Sequence, residues 1–197
     1  IMLRLGITGG IGSGKSVVSK TLSVLGVPVY DCDSRAKWLQ EHDADVRRKI
    51  MDLLGDDVYE GQRLNRKKMA AKIFSDAALL TEVEGIVHPA VKNDFNKWCM
   101  DQKKDIVALE SAILYECGLN DNCVDKVCLV YAPIETRIER VAKRDSANIE
   151  EIRQRMANQT SDDEKINKAD FVVKNYSNNS VISQVLELMV KAREEWK

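Results

Sequence analysis

Gly9-Gly10-Ile11-Gly12-Ser13-Gly14-Lys15-Ser16 decides how the chain is read, because it satisfies G-x-x-x-x-G-K-[ST]. Each residue type has a task there. Glycines let successive backbone N–H groups turn inward and approach phosphate oxygens with no Cβ in the way. A helix that follows adds its unsatisfied N-terminal donors and the positive end of its dipole. Lys15 brings a point charge to the β- and γ-phosphates, and the Ser16 hydroxyl is a ligand for Mg²⁺. A glycine-rich turn could match by chance, so the flanks must support the motif.

They do. Met2 to Thr8 is a short apolar run that breaks into the glycines. Lys15 to Leu25 carries apolar Val17, Val18, Leu22 and Leu25 at helical spacing, with Gly26 as C-cap. Val27 to Tyr30 is a second β-rich run, so the opening reads strand, loop, helix, strand: a βαβ unit and a parallel sheet.

Further along, Ser34 to Met100 turns helical, with pieces at Arg47–Leu54, Lys67–Phe74, Ala77–Ile86 and Ala90–Cys99. Strand signal returns at Ile106–Leu109, Lys126–Tyr131 and Phe171–Lys174. Helices are expected at Glu135–Lys143, Ile149–Gln159 and Val181–Glu195. The expected class is α/β: a three-layer α/β/α P-loop NTPase with a parallel central sheet, an inserted helical substrate lobe and a helical lid. Core segments fall at 2–33, 104–136 and 169–197, the acceptor lobe at 34–103 and the lid at 137–168.

Composition fits one such domain. The chain has 197 residues, 44% hydrophobic and 31% charged, which is ordinary globular composition. With 30 basic against 31 acidic residues there is no global field for nucleic acid, so phosphate binding must be local. No apolar run nears the roughly 20 residues that cross a bilayer, and no signal segment is expected. Neither membrane nor nucleic acid is therefore an expected partner. Five cysteines, an odd number with no CxxC, favour reduced thiols in the cytoplasm over disulfides or zinc. Nothing in the sequence decides between monomer and homo-oligomer.

Several P-loop classes compete. Asn167-Lys168-Ala169-Asp170 spells the NKxD of GTPases and Asp52-Leu53-Leu54-Gly55 their DxxG. Both should follow core strands, yet Asp52 falls inside a helical run and Asn167 precedes a strand. A larger ATPase would need a clearer acidic strand end than Ile106-Val107-Ala108-Leu109-Glu110.

A kinase needs a carboxylate for the acceptor hydroxyl and positive charge for the phosphoryl group. Asp31 and Asp33 follow the second strand, at the sheet edge where α/β proteins bind ligands. Asp33 either caps the next helix or serves the chemistry, and its place favours chemistry. Arg137, Arg140 and Arg144 share a helix face beside an apolar stripe of Ile134, Ile138 and Val141, as the hinge of a closing lid would.

These motifs, in order, resemble the dephospho-coenzyme A kinase family along nearly the whole chain. Leu5 to Ser16 is similar to its P-loop, and Asp31-Cys32-Asp33 with Ala36 to its D-x-D-x-x-A segment. Leu64-Asn65-Arg66 with Ile73-Phe74, His88-Pro89, and Ile113-Leu114-Tyr115-Glu116 resemble further signatures, followed by Arg140, Arg144-Asp145, Arg155, Gln159, Ala169-Asp170 and Asn175. Ser111-Ala112-Ile113 stands where the family usually has a proline, and Tyr176-Ser177 follows Asn175 in place of a glycine.

The resemblance implies phosphorylation of the ribose 3′-hydroxyl of dephospho-CoA by ATP with Mg²⁺, the last step of coenzyme A synthesis. Asp33 would be the base or the orienting carboxylate for that hydroxyl, Lys15 would hold the β- and γ-phosphates, and Arg140 would stabilise transferring charge, with Arg144 also in the nucleotide-binding set. Arg66, His88 and Glu116 would form the acceptor site in the helical lobe, and Asn175 would lie near adenine. His42 is expected to be a plain helix residue. Trp38, Trp98, Trp196, Met51, Met69 and Met189 are expected to pack. The readings held in reserve are a nucleoside or nucleotide kinase and a nucleotide switch without phosphotransfer.

Overall fold

The computed structural model describes residues 2–73 and 76–196, so Phe74, part of one expected helix and one motif, lies outside the described residues. The chain divides into two compact units, residues 31–101 and the remainder.

The larger unit is built on a five-stranded sheet of order β2-β5-β1-β6-β7. Its strands are β1 (Leu3–Thr8), β2 (Val29–Asp31), β5 (Ile106–Glu110), β6 (Lys126–Tyr131) and β7 (Phe171–Lys174). β1 pairs in parallel with β5 and β6, and β6 with β7. Parallel strands covered on both faces read as nearly continuous apolar runs, and Leu3, Leu5, Ile7, Val107, Ala108, Leu129 and Val130 are all buried.

Helices α1 (Lys15–Val24) and α10 (Val181–Glu195) supply Val18, Leu22, Val185, Leu188 and Met189 to the core over this sheet. Two expected core positions are corrected: Val17 is 49% and Leu25 40% exposed. Val18 and Leu22, four apart, mark the buried stripe, while Val17 sits about 100° round the helix from Val18.

A single turn, α6 (Leu119–Asn122), precedes β6, and after β6 come α7 (Ile134–Asp145), α8 (Ile149–Ala157) and α9 (Asp162–Lys168). Ile138, Val141, Ile152 and Met156 form a small core of their own, and Ile134, expected in that stripe, is largely exposed. α9 was not expected. Its sequence signal is the Ser161…Glu164 capping spacing, and the Ser161 hydroxyl does accept from the Glu164 N–H at 3.2 Å.

The smaller unit holds α2 (Cys32–His42), α3 (Ala44–Leu54), α4 (Arg66–Ile73) and α5 (Ala77–Met100). A short hairpin, β3 (Tyr59–Glu60) with β4 (Arg63–Leu64), interrupts the helices where no strand was expected. Two expected helices, Ala77–Ile86 and Ala90–Cys99, prove to be one 24-residue helix that runs through Pro89.

A proline inside a helix costs about 3 kcal/mol, through a lost hydrogen bond and a clash with the carbonyl four residues earlier. That earlier residue is Gly85, whose backbone is unencumbered by a side chain. The stripe Val83, Val87, Val91, Phe95 and Cys99 is buried at every fourth position. At about 1.5–3 kcal/mol per large apolar side chain, its burial outweighs the proline.

Of the residues expected to pack, Met189 is buried, Met51, Met69, Trp98 and Trp196 are half-buried, and Trp38 is 44% exposed. Trp38 is instead sandwiched by polar neighbours, with the Arg35 guanidinium 4.5 Å from its ring and the His42 ring stacked at 4.8 Å.

Candidate active site

The phosphate loop leaves the carboxyl end of β1, the central strand, and runs into α1. Helices α2, α3, α5, α8, α9 and α10 each have a side-chain N-cap and α7 starts from Pro133 without one, while α1 starts from Gly14 with no side-chain hydrogen bond to its amides. Its N-terminal donors therefore face an incoming anion. Gly12 and Gly14 have φ of 82° and 90°, the left-handed region. A Cβ at Gly12 would lie 2.6 Å from the Arg137 carbonyl oxygen, and one at Gly14 would overlap the Asn175 amide nitrogen. Within the loop, the Ser13 N–H donates to the Gly10 carbonyl at 3.0 Å. Lys15 Nζ donates to the Gly9 carbonyl at 2.9 Å, a place from which a phosphate oxygen can draw it. The Ser16 hydroxyl is exposed in the first turn of α1.

The three arginines of α7 separate by depth. Arg137 is 4% exposed and gives Nη2 to Asp162 Oδ2 at 2.6 Å, so it is a buried strut rather than part of an open cationic face. Its guanidinium lies against the backbone of Gly10, where a Cβ would overlap it. Arg140 reaches the phosphate loop itself. Its Nη2 donates to the Asn175 carbonyl at 2.9 Å, and Nη1 lies 3.4 and 3.5 Å from the Gly12 and Ser13 carbonyls. Arg144 is exposed and forms a two-point pair with Asp145, which raises its already high pKa and lowers that of the aspartate.

Asn175 follows β7. Its N–H donates to the Tyr131 carbonyl and its side-chain Nδ2 to the Ser13 carbonyl at 2.8 Å, so its amide braces the phosphate loop. Of Tyr176-Ser177, which follow Asn175 in place of a glycine, Ser177 takes the left-handed conformation at φ 53°. A residue other than glycine in that region carries a cost of roughly 1–2 kcal/mol.

Glu116 lies in the larger unit, in the loop after β5, which corrects its expected place in the helical lobe. Its Oε1 accepts the Thr160 N–H at 2.8 Å, and the fully buried Lys165 brings Nζ to 3.3 Å, close but not aligned for a hydrogen bond. Burial alone would raise the Glu116 pKa, but the Thr160 N–H and the Lys165 charge hold it below the usual range. Nearby, burial pushes the Tyr115 hydroxyl up to about 12.

In the smaller unit, Asp31 is the N-cap of α2. Its carboxylate accepts from the N–H groups of Asp33 and Ser34 and from the Ser34 hydroxyl. Asp33 thus has no capping task; it stands exposed in the first turn, two residues beyond β2, with no side-chain partner among the described residues. Arg66 opens α4 and bonds Gln40 Oε1 at 2.8 Å, with Glu41 at 3.3 Å. His88 is half-buried in α5.

The GTPase-like tetrapeptides are occupied otherwise. Asp52 lies within α3, which Gly55 closes at φ 91°, and Asn167 lies within α9. Asp170 accepts from Lys126 Nζ at 3.0 Å and from the Val127 N–H at 2.8 Å, tying β7 to β6. Among the described residues no group of three or more His, Cys, Asp or Glu is placed to hold a metal, and no helix is long and apolar enough to cross a membrane. The five cysteines are thiols outside any disulfide, with burial pushing Cys128 up to about 12 and Cys117 to about 11.

A phosphate loop on the central strand of a parallel sheet of this order, with an arginine from the following helices on the loop, defines a P-loop kinase. Residues 3–181 match the CoaE dephospho-CoA kinase family, and the chain belongs to that family. It is 46% identical to the dephospho-CoA kinase of Porphyromonas gingivalis, over 98% of this chain and 95% of the relative. The dephospho-CoA kinase of Bacteroides fragilis is 45% identical, over 95% of this chain and 91% of its own length. A crystal structure of a Thermus thermophilus protein superposes with a TM-score of 0.86 at 32% identity, covering 96% of this chain and 97% of that one.

Proposed function

We propose that this chain transfers the γ-phosphoryl group of ATP to the ribose 3′-hydroxyl of dephospho-CoA, giving coenzyme A and ADP in the cytoplasm. The observation that carries the residue assignment is the division of labour between the two aspartates. Asp31 satisfies the helix, which leaves the Asp33 carboxylate free to take a proton. In the transfer the 3′-oxygen attacks the γ-phosphorus, the bond to the ADP oxygen breaks, and Asp33 receives the hydroxyl proton.

The chain's other groups position and neutralise. Lys15 leaves the Gly9 carbonyl for the β- and γ-phosphates, and Arg140 exchanges carbonyl acceptors for charged oxygens on the moving phosphoryl. Arg144, exposed beside Asp145, is the outer nucleotide contact, and Asn175 acts on adenine through the turn it begins. Arg66, His88 and Glu116 serve the acceptor, Glu116 through the Thr160 segment it holds.

Magnesium suits this donor set. A single exposed serine hydroxyl at the head of α1 fits an ion that keeps several waters and takes its remaining ligands from phosphate. Bound between Ser16 and the nucleotide, it would supply charge neutralisation.

An acceptor panel tests the reading. Steady-state ADP release should be fast with dephospho-CoA and weak with nucleosides and nucleotides, and Asp33→Asn should abolish the difference. Equal turnover across the panel would favour a nucleoside or nucleotide kinase. GTP preference in competition binding would favour a switch.

A further inference from the structure

Gln159 lies in the connection between α8 and α9, and its side-chain amide faces two loops at once. Oε1 accepts the Ile11 N–H at 2.9 Å, and Nε2 donates to the Ala112 carbonyl at 3.1 Å. The amide orientation is fixed by its partners, since a flipped amide would set donor against donor and acceptor against acceptor. Ile11 is at the crest of the phosphate loop, and Ala112 is in the loop that leaves β5.

The residues next to Gln159 are held to the same two loops. The Thr160 N–H donates to Glu116, and Asp162 pairs with buried Arg137, whose guanidinium lies against Gly10. The segment 159–162 is thus fastened both to the loop after β1 and to the loop after β5. In consequence the Ile11 N–H is already satisfied by protein, and its peptide plane is fixed before any nucleotide arrives. The left-handed Gly12 comes next, then Ser13, whose N–H closes the turn on Gly10.

We propose that Gln159 is a positioning residue for the phosphoryl donor. By holding the peptide between Gly10 and Ile11, it keeps the N–H groups beyond it converging on the β- and γ-phosphates. It acts through Ile11 and does not touch the nucleotide. Donors fixed in advance need no reorganisation at the moment of transfer, and small misplacements of such groups are costly in rate. The proposal rests on the kinase reading, which wild-type turnover with dephospho-CoA checks separately.

The test is Gln159→Met, which keeps the length and removes both hydrogen bonds. With wild-type turnover established, the variant should raise KM for ATP about tenfold and lower kcat about fivefold, as for a displaced loop donor. KM for dephospho-CoA should stay within about twofold. The Kd of a non-hydrolysable ATP analogue, measured by calorimetry, should rise with the ATP KM. Asp162→Asn, which loosens the second fastening, should move ATP KM in the same direction and by less. If Gln159→Met does not fold, Asp162→Asn and Gln159→Glu are read by the same split between the two KM values. Unchanged ATP KM and kcat in a folded variant would overturn the proposal. So would both KM values rising together in step with a fall in Tm.

Discussion

The Asp31 carboxylate accepts the Asp33 N–H at 3.0 Å, so one aspartate of the Asp-Cys-Asp segment spends its charge on the helix and releases the other. Asp33→Asn should therefore lower kcat by at least about 10²-fold with Tm unchanged, the loss of a positioned base. Asp31→Ala should do the reverse, removing about 1 kcal/mol of stability as a lost N-cap while most of kcat survives. Thermal melts and steady-state rates on the two variants, side by side, separate the roles.

Arg140 spends its donors on three backbone carbonyls, two of them at 3.4 and 3.5 Å, and these are weak partners for a guanidinium. A phosphoryl group with charge on its oxygens is a better one. Arg140→Ala should lower kcat about 10³-fold, the scale of a lost arginine at a phosphoryl transfer site. Single-turnover quench-flow reads this directly, and Arg140→Lys should recover only part of it because it lacks the fork.

Glu116 links acid sensitivity to the segment that carries Gln159. Its pKa is lower folded than unfolded, so the stability it contributes is complete above the unfolded carboxylate value. That contribution is lost as pH falls through the lowered folded value. Glu116→Gln should flatten the acid limb of the Tm-against-pH curve, and a limb as steep as wild type would count against the pairing with Lys165.

Phe95 is fully buried in the α5 stripe that outweighs Pro89. Phe95→Ala should cost about 3–5 kcal/mol, read as a lower urea midpoint. Pro89→Ala should raise that midpoint, since the helix regains a donor without losing the stripe.

The positions of the five core strands and the phosphate loop were legible because apolar β-rich runs and glycine loops have strong local patterns, whereas the order β2-β5-β1-β6-β7 depends on pairings between segments far apart in sequence. What escaped has physical reasons. Pro89 reads locally as a break, and only the long apolar stripe, with Gly85 one turn back, shows that the helix continues. The hairpin of Tyr59–Glu60 with Arg63–Leu64 is two residues a side, too short for any alternation to register. Arg137, Arg140 and Arg144 are equivalent by spacing; their different depths depend on Asp162 and Gly10, distant in sequence. Gln159 stood in the motif series without a task, because its two partners are backbone groups that no side-chain pattern reveals. The capping of α2 by Asp31 was available in principle, since the cap lies where the strand ends.

The proposed phosphorylation of the ribose 3′-hydroxyl has a direct readout. The most direct measurement is ³¹P NMR of the product formed from ATP, Mg²⁺ and dephospho-CoA. A new phosphate monoester on the ribose 3′-position, formed in step with ADP and absent with Asp33→Asn, is the predicted result. ADP no faster than the acceptor-free background, or a phosphate placed elsewhere on the acceptor, would contradict it.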